Sequence, residues 1–275
     1  MKIKLKRRYK LLLIILIGGA ITFLINTTSV KSKIDLVSIG DGLSLGMTPY
    51  NVAGNSFNDY IKEYLIRGEL SPSQGRTLLS LETEEERKKY LDKLLVKEVN
   101  IRDVEYLEKK NKLGSFNNEF SEGHLRIHEL NDYLEDNTLG RFTRLPIKQI
   151  LAKADVITIA IGIDELADIS LYEEISTKII EDYLREMENL LKIIREFYDK
   201  EIVVISLYPA YNFERKDAIE INRGLSKIAA KYNSKYLDII AYSLNESYFL
   251  DKTSYYMNYL AHEHIANEII NMLFE

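Results

Sequence analysis

An α/β body, with a parallel sheet enclosed between helices, is what the 275-residue sequence predicts. Two observations carry this. Short, nearly continuous apolar runs rich in β-branched residues recur along the chain, most ending at a glycine or near a proline, and amphipathic stretches of helical spacing lie between them. An apolar share of 46% excludes a disordered chain, 4 Pro and 13 Gly exclude a linker protein, and the absence of Cys excludes disulfide and thiolate-metal frameworks.

In chain order the first element is a segment of its own. Lys2, Lys4, Lys6, Arg7, Arg8 and Lys10 precede an apolar run over residues 11–25. Residues 1–30 therefore read as a cytoplasmic basic stub and a signal-anchor or transmembrane helix, with the body outside the cytoplasm. The alternative is cleavage and secretion. The net charge of −5 then divides: the first 25 residues carry six bases and no acid, leaving 31 bases against 42 acids in the body. An acidic body argues against non-specific nucleic-acid binding.

Within residues 31–275, Ile34-Asp35-Leu36-Val37-Ser38-Ile39, the run 155–161, the run 202–207 and Tyr236-Leu237-Asp238-Ile239-Ile240 are the expected strands. Residues 173–200 place Ile175, Ile179, Tyr183, Met187, Leu190, Leu191, Ile194 and Phe197 on one helical stripe; residues 218–232 do so more weakly, and 262–273 form a last helix. Residues 66–105 differ. Glu82, Glu84, Glu85, Glu86, Arg87, Lys88 and Lys89 crowd together before Leu91, Leu94, Leu95 and Val99, which reads as a charged helical insertion entered through Ser71-Pro72-Ser73. A surface insertion is the plain reading, and a partner-binding arm the alternative. In open α/β sheets functional groups gather beyond the carboxyl ends of strands. That directs attention to the residues after Gly40 and Gly162 and to the loop before the last helix.

Those places are distinctive. Ile39-Gly40-Asp41-Gly42-Leu43-Ser44-Leu45-Gly46 follows the first strand, Ile161-Gly162-Ile163-Asp164-Glu165-Leu166 the second, and Asp251 with a loop precedes Ile265-Ala266-Asn267-Glu268-Ile269. In order, spacing and strand context, over nearly all of residues 33–275, these blocks resemble the SGNH hydrolases, the GDSL esterase and lipase family. Thr48-Pro49-Tyr50 and Asn58-Asp59-Tyr60-Ile61 resemble its low-GC Gram-positive branch. There a segment like 106–113 follows the first helix directly, so its displacement marks 66–105 as inserted.

The resemblance implies a three-layer α/β/α sandwich with a parallel, flavodoxin-like sheet. It also implies ester hydrolysis by a serine nucleophile, a histidine base oriented by aspartate, and an oxyanion held by main-chain amides and an asparagine. On this chain the nucleophile position is Gly42, the oxyanion positions are Gly123 and Asp164, the base position is Tyr256, and Asp251 lies two residues before Thr253, which takes the aspartate position. Glycine cannot attack a carbonyl, and an ionised carboxylate cannot donate to an oxyanion. Ser44, with His262 or His264, is the fallback nucleophile and base; both histidines otherwise read as partly exposed helix residues. Asp41, Asp164, Glu165, Asp251 and Tyr256 would line an acidic cleft. No cofactor or metal is expected, since four scattered histidines lack ligand spacing.

The expectation is a membrane-anchored, extracytoplasmic SGNH-like pseudoenzyme that binds an envelope ligand or protein partner. One alternative is an active serine esterase on acylated envelope carbohydrate or lipid. The other is an assembly platform acting through residues 66–105.

Overall fold

The computed structural model describes residues 33–50, 52–67, 111–210, 212–250 and 255–274. The expected anchor over 1–30, nearly all of the expected insertion over 66–105, and Asp251 lie outside them. Among the described residues no helix is long and apolar enough to cross a membrane.

Residues 34–275 form one unit, built on five strands: β1 (Ile34–Gly40), β2 (Leu113–Ser121), β3 (Val156–Ala160), β4 (Glu201–Ile205) and β5 (Lys235–Leu237). All neighbours are parallel, in the order β2-β1-β3-β4-β5. This is the flavodoxin-like order, and the chain reverses direction across the sheet at β1. Every residue of β3 is buried, as are the last five of β1 and the last four of β4. That burial explains why these runs are apolar without alternation. Four of the five strands follow the sequence expectation. β2 was not expected: it is an edge strand containing Gly114, Asn117, Asn118 and Glu119, residue types poor in β propensity.

The helices are α1 (Gly42–Leu45), α2 (Phe57–Arg67), α3 (Ile127–Glu135), α4 (Ile147–Lys153), α5 (Ile163–Ser170), α6 (Thr177–Arg195), α7 (Arg215–Lys231) and α8 (Tyr259–Phe274). α6 is shorter than the expected 173–200, because the Ser176 hydroxyl caps it by accepting from Ile179 N. Its buried face holds Ile180, Tyr183, Met187, Leu190, Leu191 and Ile194. α8 begins at Tyr259, three residues before the expected start. α2 packs on α8, while α6 packs on α3 and α7. Right-handed crossovers from β1 outward in the two directions place these two groups on opposite faces of the sheet, which makes three layers.

A buried polar chain fixes α2 on its face. Asn58 donates to Ser38 Oγ at 2.8 Å and accepts from Thr158 Oγ1 at 2.6 Å, and Ser121 Oγ donates to Ser38 O at 3.1 Å. Two adjacent strands thus present hydroxyls to one helix residue, and the third braces Ser38 from the other side. Partners this specific in a dry interior allow one docking register. At the far end of α2, Lys112 N donates to Leu65 O at 2.7 Å, so the chain entering and leaving residues 66–111 is held together at its base.

Candidate functional site

The residues beyond three strand ends meet at one place because their last residues are in register: Gly40 pairs with Ser121 on one side and Ala160 on the other. The chain after β1 and β3 must turn at once. Gly40 (φ +140°) and Gly162 (φ +109°) supply backbone conformations that side chains disfavour.

Two carboxyl groups occupy the meeting point, and both are fully buried. Asp41 caps α1 by accepting from Leu43 N at 3.1 Å, and its other oxygen accepts from Gly162 N at 2.7 Å and Asp164 N at 3.2 Å. Burial, and after it the neighbouring Asp164 charge, push the Asp41 carboxyl well above its ordinary range. Asp164 enters on the first turn of α5. One of its oxygens accepts from Gly42 N at 3.0 Å and His124 N at 2.7 Å; the other accepts from Tyr255 Oη at 2.5 Å. Burial, then the Asp164 charge, raise the Tyr255 and Tyr256 phenols far above their usual value, so both stay protonated donors.

Tyr256 is 2% exposed, and its hydroxyl lies on the Asp164 side of Gly42. It fills the space beside Gly42: a Cβ added at Gly42 would lie 2.6 Å from Tyr256 Cε1, 2.8 Å from Asp164 Oδ2 and 2.9 Å from Tyr256 Oη. The position where the resemblance puts a nucleophile therefore has neither a reactive group nor room for one.

Gly42, Asp41, Asp164 and Tyr256 are thus brought together. Gly123 is adjacent, but the amide that reaches Asp164 is that of His124, a residue with φ +61°. The His124 ring points outward to Asp168 at 3.3 Å. Glu165 turns away from this point to accept from Ile127 N at 3.1 Å. The expected acidic cleft is therefore not an open groove at Asp41 and Asp164, whose carboxyls are sealed and satisfied by N–H and O–H donors.

Ser44 does not meet either histidine. It is fully buried, with Ile39 O at 3.0 Å and Ala160 O at 3.1 Å as acceptors for its hydroxyl, so it fastens α1 to β1 and β3. His264 sits on the half-exposed side of α8 against Tyr242, paired with the Tyr248 hydroxyl and 3.6 Å from Glu268. His262 is buried, contrary to the partly exposed reading. α8 already runs from Tyr259, and His262 shares its buried face, at i, i+3, i+4 and i+7, with Ile265, Ala266 and Ile269. It stacks on Phe57, and its Nδ1 accepts from Phe57 N at 3.2 Å.

Burial depresses the His262 pKa to about 4. The folded chain therefore binds fewer protons at this site than the unfolded chain, whose histidine titrates near its ordinary value. The neutral form's contribution is complete above that value and is lost as pH falls from about 6.5 toward 4. The urea midpoint should fall across this window, by up to about 3 kcal/mol in stability. His262→Gln should remove that part of the slope. Asp41, raised rather than depressed, works in the opposite sense, so the difference between the two chains is the quantity to measure.

Among solved structures, a gut microbial diltiazem-metabolizing enzyme is similar at a TM-score of 0.53 and 10% identity, over 87% of this chain and 46% of that one. A carbohydrate acetylesterase from Sinorhizobium meliloti follows at 0.46 and 10%, over 88% and 100%. A psychrotrophic esterase from Pseudoalteromonas sp. scores 0.45 at 11%, over 87% and 96%. At such identities the likeness concerns the α/β fold alone. No curated protein matches the sequence. Residues 56–113, about a fifth of the chain, match the ParB HTH domain family.

Proposed function

We propose that the chain is a membrane-tethered SGNH-like protein that does not hydrolyse esters and uses its body to bind an extracytoplasmic envelope ligand or partner. The observation that carries the non-hydrolytic part is the space at Gly42. It is filled by Tyr256 and Asp164, while the hydroxyl of Ser44, the fallback nucleophile, is committed to main-chain carbonyls. Acyl transfer needs a nucleophile within reach of a base, and neither His262 nor His264 is hydrogen-bonded to Ser44. The apolar run over 11–25 behind six bases supports the tether.

The full-length chain should turn over a short-chain aryl ester no faster than buffer. Gly42→Ser alone should remain inactive, because the added side chain collides with Tyr256 and Asp164. Restoring the family groups together, by Gly42→Ser with Asp164→Asn and Tyr256→His, is the variant in which turnover is expected. Turnover by the unaltered chain that vanishes in Ser44→Ala sinks the reading.

A second reading is favoured by the ParB HTH match over residues 56–113. A helix-turn-helix can lay its second helix in a DNA groove. Residues 66–112 hold eleven Lys or Arg against ten Asp or Glu, close to neutral in an otherwise acidic body. The tethered reading instead makes this segment an arm for protein partners. The two readings put the body on opposite sides of a membrane, so protease treatment of intact cells separates them: a shielded body favours the DNA-facing one.

A further inference from the structure

We propose that the Gly42 N–H, the His124 N–H and the Tyr255 hydroxyl form a carboxylate-binding nest, and that the chain fills this nest with its own Asp164. The three donors come from different segments, after β1, after β2 and before α8, yet they converge on one carboxyl group at 3.0, 2.7 and 2.5 Å. Two N–H groups share one oxygen and the hydroxyl takes the other, so the acceptor that fits is planar, anionic and small. A fourth donor stands ready. The Tyr256 hydroxyl is buried, and it faces the same point beside Gly42 that Asp164 Oδ2 does.

The inference rests on the non-hydrolytic reading and deepens it. The amide at position 42 is one of the donors that the resemblance assigns to the oxyanion of an ester under attack, and the His124 amide follows directly on a second such position, Gly123. Here a carboxyl group of the chain already occupies them, delivered by α5. Asp164 is thus an internal occupant, and the ligand class of the emptied nest is a small monocarboxylate such as formate or acetate.

The test is chemical rescue in the full-length chain, read by stability rather than by turnover. Asp164→Gly should melt below the unaltered chain, and formate should raise its melting temperature saturably, by about 3 °C well above half-saturation. Chloride at equal ionic strength should not, and neither the unaltered chain nor the volume-filling Asp164→Asn should respond to formate. Should Asp164→Gly fail to fold, refolding in formate becomes the readout: soluble, cooperatively melting chain recovered in formate but not in chloride supports the nest. Equal responses to formate and chloride, equal responses of variant and unaltered chain, or no rescue in either assay overturns it. A failed rescue with turnover still absent leaves the non-hydrolytic reading standing; turnover by the unaltered chain removes both.

Discussion

Gly40→Ala is expected to leave the chain unable to reach its native state. A Cβ there would lie 1.8 Å from the Ala160 carbonyl oxygen and 2.7 Å from Ser44 Oγ, and both neighbours belong to the buried junction of β1, β3 and α1. Neither can retreat, since Ala160 O accepts from Asp41 N at 2.9 Å and from the Ser44 hydroxyl. The φ of +140° adds strain for any side chain. The expected result is insoluble chain, or soluble chain without a cooperative thermal transition by circular dichroism. Gly123→Ala is the matched comparison. Its Cβ would meet only Met47 Sδ, at 4.0 Å, so its melting should stay close to that of the unaltered chain.

The second large effect is expected at Asp41. Asp41→Ala removes the acceptor for Leu43, Gly162 and Asp164 N–H at once, in a place no bulk water reaches. Each buried donor left without a partner costs about 1–3 kcal/mol, and the costs overlap because the three groups relax together. A loss of about 4 kcal/mol in urea denaturation is expected, a large part of the stability of an ordinary domain. Asp41→Asn should lose less, since one oxygen still accepts while the amide opposes an N–H. A loss under about 1 kcal/mol for the alanine variant would show that these hydrogen bonds do not hold the site together.

How much of this was legible in the sequence depends on which physical signal each feature leaves. Buried parallel strands announce themselves as apolar runs, so β1, β3, β4 and β5 were readable, although Asp238 to Ile240 leave the last strand for a 3-10 turn. β2 gives no such signal, because an edge strand can spend residues on other work. Asn117 and Glu119 hydrogen-bond to one another, and Glu119 accepts from Phe142 N and Thr143 N of a surface loop. Gly42, Asp164 and Tyr256 could be named in advance through the resemblance, and the structure brings them together. The His124 amide could not, because main-chain donors have no residue type to mark them. Tyr255 was masked by its neighbour: two adjacent tyrosines look equivalent until one is seen to reach the Asp164 carboxyl. His262 was misjudged for a simpler reason. With the helix starting at Tyr259, His262 is no longer a first residue at an exposed helix end but lies inside the helix, three residues before Ile265 on its buried stripe.

The hydrogen bond from Lys112 N to Leu65 O has a consequence for the history of the chain. A segment whose two ends already touch adds little tension to the body, since doubling the length of a loop costs only about 0.6 kcal/mol in closure entropy. The stem formed by α2 and β2 is therefore a docking port in the evolutionary sense. Whatever occupies 66–111 can be acquired, lengthened or exchanged for another module, while Asn58 a few residues earlier and Ser121 a few residues later keep the sheet and its helix in their old register.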